Sequence, residues 1–264
     1  MRKMVLLAAL TALSIPMMAA AQSVFDGTWK VDMSKVDWSP KPDVFLLADG
    51  MYECKTCNPP FKIKADGTDQ PVSGHPYVDT IAIKVVSDHE IAETDKKGGK
   101  VVGTSSAMVS PDGQTTMFSF SDSSNTNGGP PVTGKGESTL VEKGPAGSHA
   151  VSGSWKMKKM EGLSDNATVF SYKVSGDELT MTSPMGQTYT AKLDGSEAAM
   201  KGDPGISSVS VKQLGKDTIE ESDKRDGKVI FVWKLTVAAD GKTAKAIAED
   251  KLNDRTTEFV ATKQ

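Results

Sequence analysis

Residues 100–122 are written out a second time at residues 228–250, and that repeat constrains everything else the chain can be. The match runs without gaps at an offset of about 128 residues, with roughly a third of aligned positions identical. Lys84, Ile91, Glu93, Asp95, Lys96, Gly99, Lys100 and Val101 recur as Lys212, Ile219, Glu221, Asp223, Lys224, Gly227, Lys228 and Val229. Upstream, Lys64, Asp66, Gly67, Gly74 and Pro76 recur as Lys192, Asp194, Gly195, Gly202 and Pro204. Whatever one copy folds into, the other must fold into as well.

Each copy predicts a β-hairpin. Asp112-Gly113 and Asp240-Gly241 sit between alternating apolar runs, and glycine tolerates the positive φ that a tight turn requires. In that register Val109 faces Thr116, Ala107 faces Phe118 and Ser105 faces Phe120. The second copy pairs Val237 with Ala244, Leu235 with Ala246 and Trp233 with Ala248. The bulk changes sides between the copies. Directly opposed side chains on one face share a single volume, and exchanging which partner is large conserves it. These positions are expected to face inward, and the constant sum expects a filled interior rather than a hollow one.

Strand-like runs recur every ten or so residues, glycine is plentiful, and no long stretch carries a helical period. The chain therefore reads as all-β, with about eight short strands in each unit. Residues 22–145 form the first unit and residues 146–264 the second, with Gly144-Pro145-Ala146-Gly147 as the boundary. Residues 123–136, rich in Ser, Asn, Gly and Pro, predict a mobile loop.

Residues 1–21 read as a secretory signal peptide. Arg2 and Lys3 precede an apolar run too short to span a bilayer, and Ala19-Ala20-Ala21 suits cleavage before Gln22. With no cysteine at the cleavage point, a lipid anchor there is not expected, and the mature protein is placed in a periplasm or outside the cell. The formal net charge of −3 becomes about −5 after cleavage, mild and well mixed in sign. Nothing resembles a nucleic-acid footprint, and no second apolar run could insert into a membrane.

Gly27-Thr28-Trp29 and Gly153-Ser154-Trp155, each on a predicted first strand, resemble the Gly-x-Trp opening of lipocalins and the wider calycin group. The second characteristic lipocalin motif and the usual C-terminal helix are missing. The resemblance implies antiparallel up-and-down barrels: two lipocalin-like barrels in tandem, or two halves of one larger β assembly. It also implies a small apolar molecule bound inside. Trp29, Phe118, Phe120, Trp155, Phe170 and Tyr172 are the candidate ligand-binding residues. In that group a basic residue on the last strand packs across the tryptophan and seals the barrel end. Arg255 is placed for that role in the second unit, Lys135 less well in the first.

Cys54 and Cys57 are the only thiols, and outside the cytoplasm two cysteines this close point to a local disulfide. Three sharper readings compete. Covalent haem would need histidine where Asn58 stands. A thioredoxin-type centre would need the first cysteine at a helix N-terminus, whereas the following residues run into a strand. A zinc site would need about two more ligands, and His75 is the nearest. His75, His89 and His149 share no spacing and read as solvated loop residues. The basic turns at residues 96–100 and 224–228 read as charged hairpin tips, since no helix follows to cradle a phosphate. Asn166-Ala167-Thr168 fits a glycosylation acceptor in a host that glycosylates. There is no nucleophile elbow, no Ser-His-Asp signature and no carboxylate pair of stated geometry, so no catalytic residue, metal or cofactor is assigned.

The expectation is a secreted, non-enzymatic binding protein for a small, partly apolar ligand. A ligand-free interaction module of the cell envelope is the second reading, and a thiol-redox accessory using Cys54 and Cys57 the third.

Overall fold

The computed structural model describes residues 22–264, and the expected signal peptide lies outside them. The protein is all-β. The first strand, β1 (Gly27–Val31), is followed by β2 (Asp43–Ala48), β3 (Met51–Cys54), β4 (Phe61–Lys64), β5 (Gln70–Pro71) and β6 (Thr80–Ser87). Then come β7 (Glu90–Lys97), β8 (Lys100–Val109), β9 (Thr115–Asp122), β10 (Val132–Lys143) and β11 (Gly153–Glu161). A single helical turn, α1 (Asp165–Thr168), leads into β12 (Val169–Ser175), β13 (Glu178–Thr182), β14 (Thr188–Lys192) and β15 (Asp194–Ala199). The chain ends with β16 (Ser208–Gln213), β17 (Thr218–Arg225), β18 (Lys228–Val237), β19 (Thr243–Asp250) and β20 (Arg255–Lys263).

These strands make two nearly closed, ten-stranded antiparallel sheets, each rolled into a barrel around its own apolar core. Barrel one is β2 to β11. Barrel two is β12 to β20, closed by β1 between β12 and β20. The sheets therefore do not follow the repeat boundary. Gly144-Pro145-Ala146-Gly147 lies inside barrel one, in the β10–β11 connection, and the strand of Trp155 completes the first barrel rather than opening the second. Each Gly-x-Trp strand is the closing stave of its barrel.

Each barrel almost shuts where two sequence-adjacent strands form its edges. In barrel two the Leu193 N–H donates to Asp177 O and Leu193 O accepts from Gln213 N, while Thr188 of β14 exchanges both backbone hydrogen bonds with Lys201 just beyond β15. In barrel one the Ala65 N–H donates to Gly50 O on one edge, and the Gly67 N–H to Ile83 O on the other. Closure of this kind removes the unpaired edge that an open sheet would expose.

The central hairpins have the expected register. Ser105, Ala107 and Val109 face Phe120, Phe118 and Thr116, while Trp233, Leu235 and Val237 face Ala248, Ala246 and Ala244. In both turns only the glycine takes positive φ, 70° at Gly113 and 65° at Gly241. The preceding aspartate side chain accepts backbone N–H groups just beyond it. The volume exchange extends to a third strand. Gly136 and Gly134 lie beside Phe118 and Phe120, where an added Cβ would come within 2.4 and 3.0 Å of the rings. Barrel two has Phe259 and Thr257 beside the alanines. Small–large–small across β8, β9 and β10 thus becomes large–small–large in the Leu235, Ala246, Phe259 row, and bulk is conserved over a row rather than a pair.

The segment expected to be a mobile loop is shorter and tied down. β10 begins at Val132, Thr126 is buried, and the Asn127 amide donates to Met185 O and Gly202 O of barrel two. Asn166 donates to Pro130 O, so the acceptor amide of the glycosylation-like triplet is engaged and its Thr168 is buried. Tyr77 reaches across to Asp203 at 2.9 Å. Among the described residues no helix is long and apolar enough to cross a membrane.

Candidate functional site

The closing strands explain the Gly-x-Trp motifs. Trp29 and Trp155 are buried, and each indole N–H donates at 2.9 Å to the carbonyl four residues earlier, of Phe25 and Val151. Gly27 and Gly153 take φ of 124° and 144°. Each also makes room for the neighbouring strand: the Lys263 stem passes over Gly27, and Leu140 over Gly153. The cation on the tryptophan is Lys263, whose Nζ sits 4.8 Å from the Trp29 ring centroid. Arg255 does not take that role. It lies at the start of β20, one strand length away, and its guanidinium holds Asp43 Oδ1 at 2.6 Å and Pro42 O at 3.1 Å. In barrel one the residue facing Trp155 is Leu140, and Lys135 pairs with Glu161.

Neither interior is filled. Barrel one holds a partly open cavity of about 350 Å³ and barrel two one of about 240 Å³. Phe118 and Trp155 line the first; Phe170 and Tyr172 line the second. Trp29 is fully buried and lines neither, and Phe120 packs beyond the first cavity against Gly134 and Leu163. The expectation that constant volume means a solid interior fails for a geometric reason. The conserved rows run around one wall, and a ten-stranded sheet is wide enough to leave space beyond the side chains that line it.

Each cavity has a carboxyl-bearing wall that the sequence reading passed over. Glu93 and Asp95 project from β7, and Glu221 and Asp223 from β17, on the faces that carry Ile91 and Ile219. Glu221 and Asp223 are both buried, and both line the second cavity; Glu93 lines the first. Burial pushes Asp223 up to about 9, with Glu221 beside it adding to the shift. Burial and then Asp95 push Glu93 up to about 8. Two carboxyls this close in a poorly solvated site favour holding one proton between them. A usable signal was present in the sequence. Alternate positions on one strand, continuing the face of a core isoleucine, carry acids in both copies.

The second barrel supplies hydroxyls to its glutamate. Tyr189 donates to Glu221 Oε2 at 2.5 Å, and Tyr172 reaches the same oxygen at 3.5 Å. Their own ionisation is pushed well above the usual phenol range by burial and then by Glu221. The row Gly27, Tyr172, Met181, Tyr189 in barrel two corresponds to Gly153, Phe45, Cys54, Phe61 in barrel one. Both phenols are phenylalanines there. The hydroxyls on the cavity of barrel one are those of Tyr52, Ser105, Ser106, Thr116 and Ser138.

Cys54 and Cys57 form a disulfide, with Cys54 in the core and Cys57 on the cavity wall. Two histidines differ from the solvated expectation. His149 Nε2 lies 2.6 Å from Ser87 O, and half-buried His75 packs edge-on to Phe61. Among the described residues no cluster of three or more His, Cys, Asp or Glu is placed to hold a metal ion. No protein-family model matches the chain, and no curated protein matches it either.

Proposed function

We propose that this is a secreted, non-enzymatic binding protein that takes a small, partly apolar ligand inside lipocalin-like barrels. The observation that carries the reading is the pair of apolar-walled cavities, each with a few polar groups converging on one wall. That combination, rather than size alone, is what small-molecule sites share. The lipocalin likeness is supported by closing strands that bury Gly-x-Trp, with Lys263 lying across Trp29 as the last-strand cation. The interaction-module reading would use residues 123–131, of which Asn125, Asn127 and Pro130 hydrogen-bond to Asp203, to Met185 and Gly202, and to Asn166.

The test is a titration of the purified mature protein with an environment-sensitive lipophilic dye, alongside native mass spectrometry. Saturable dye fluorescence, or extra mass that vanishes on denaturation, is the expected result. A flat titration together with a bare native mass would sink the proposal. The denatured mass also reports whether the chain starts at Gln22.

A further inference from the structure

The wall of the second cavity combines unbalanced acids, orphaned acceptors and aromatic faces. Glu221 and Asp223 border it with Asp203, and among the described residues no lysine, arginine or histidine lines it. Asp203 is accounted for: it accepts from Tyr77, Asn125 and the Gly205 N–H. Glu221 accepts from the two tyrosines. Asp223 Oδ1 is different. It is buried on a residue only 5 % exposed and accepts from no N–H or hydroxyl, the proton shared with Glu221 being the one hydrogen available to the pair. Asn125 Oδ1, on the same cavity, is also buried and unpartnered. Buried acceptors short of donors are costly to leave so, and this wall favours a ligand that brings a donor.

The neighbouring side chains say what kind of donor. Trp233 lies directly opposite Glu221 on the adjacent strand, and Phe170 and Tyr172 pack edge to face with centroids 5.3 Å apart. Aromatic faces beside carboxylates attract a cation through the ring quadrupole and repel an anion. From this juxtaposition we infer that barrel two is a site for a small organic cation, a primary amine carrying an apolar or aromatic body. The ammonium would meet Asp223 and Glu221, and the body would occupy the Phe170, Met181 and Trp233 wall. The elevated proton affinity of Asp223 has the same origin, since no counter-charge stands beside the pair. Barrel one fits this chemistry less well. It has aromatic faces of its own, but only Glu93 of its acid pair borders the cavity, its Asp43 already has Arg255, and the position of Trp233 is Ser105.

This inference rests on the binding-protein proposal, and its test separates the two. The mature protein is titrated at pH 7 with 2-phenylethylamine, 2-phenylethanol and phenylacetate, one body with three head groups. Binding is read by calorimetry and by tryptophan fluorescence. The amine is expected to bind at least about tenfold more tightly than the alcohol, with phenylacetate weakest, given the worth of a desolvated charged hydrogen bond. Asp223→Asn should remove that preference, while Glu142→Gln, at an exposed acid on β10, should leave it intact. Thermal melting of each variant checks that it is folded. Selectivity among the three probes on the unmodified protein answers the question even if a variant does not fold. Equal binding of alcohol and amine, or preference for phenylacetate, overturns the cation assignment while leaving a binding protein. No saturable signal from any probe overturns it too, and the dye titration then decides separately whether the barrels bind anything.

Discussion

The two barrels share strand count, register and closing motif, yet they treat a buried glutamate in different ways. In barrel two Glu221 takes hydroxyl hydrogen bonds from Tyr189 and Tyr172, and an indole stands on the next strand. In barrel one the matching row carries Phe45 and Phe61, a serine stands where the indole would be, and Tyr52 shares the cavity with Glu93. Hydrogen bonds to the charged form favour ionisation, and burial opposes it. The comparison teaches that duplication preserved the position of the acid pair while the surroundings diverged. The two cavities therefore differ in what stands beside the acid, Tyr172 and Trp233 in barrel two, and Tyr52, Ser105, Thr116 and Ser138 in barrel one.

The closing strands offer the hardest test of that equivalence. β11 reaches barrel one through a hairpin from β10, so its tether is short. β1 closes barrel two from the far end of the sequence and continues directly into barrel one. Trp29→Ala and Trp155→Ala should each cost about 3–5 kcal/mol, the usual range for emptying a buried aromatic site. Trp29→Ala should also release β1 locally, because no hairpin holds that strand in place. Hydrogen exchange of β12 and β20 would then rise selectively in Trp29→Ala. Uniform loss of protection across both barrels would mean that they unfold as one unit and that the tether does not matter.

Exchanging the phenols sharpens the comparison at the acids. Tyr189→Phe gives barrel two the side chain of barrel one, and removing a hydrogen bond to a charged group should cost about 1.5–3 kcal/mol. Phe61→Tyr is the reverse change. Glu93 has its ionisation raised from 4.5 to about 8 in the fold. The folded state thus holds a proton that the unfolded chain has released. Stability from this group is fully present below pH 4.5, declines as pH rises toward 8 and is level above that. A phenol donor near Glu93 should stabilise its anion and narrow that window. Urea midpoints across pH 4–9 measure it. An unchanged pH profile in Phe61→Tyr would show that the row equivalence between the barrels does not bring the hydroxyl to the acid.

Much of the fold was legible because local chemistry acted alone. Asp112-Gly113 and Asp240-Gly241 set the hairpins, and alternation along β8 and β9 set which side chains meet, so the register followed from residues close in sequence. Barrel membership was not legible. Gly27-Thr28-Trp29 and Gly153-Ser154-Trp155 look like the starts of two units, and only pairing with β20 and β10 shows that each strand finishes a barrel. Long-range pairing of this kind leaves no local mark in the sequence. The cavities were hidden for a related reason. The Ala107–Phe118 pair shows that two strands fit each other, not how far away the opposite wall stands. The acid pairs were present as repeat markers, but nothing in Glu-x-Asp itself says that a strand turns both side chains inward.

The smallest expected difference lies at the sealed ends, where barrel two carries a cation and barrel one does not. Lys263 sits over Trp29 and also donates to Val24 O at 3.0 Å, so it ties the start of the described chain to the last strand. Trp155 is covered by Leu140 instead. Lys263→Leu therefore copies barrel one into barrel two. The lysine stem already packs over Gly27, so its apolar contact is largely kept by leucine. What is lost is the charge over the ring, about 0.5–1 kcal/mol at a site open to water. The expected result is a small drop in stability with Trp29 fluorescence still that of a buried indole. A loss beyond about 2 kcal/mol would assign Lys263 a closing role that the leucine of barrel one fills only because its strand is already held by a hairpin.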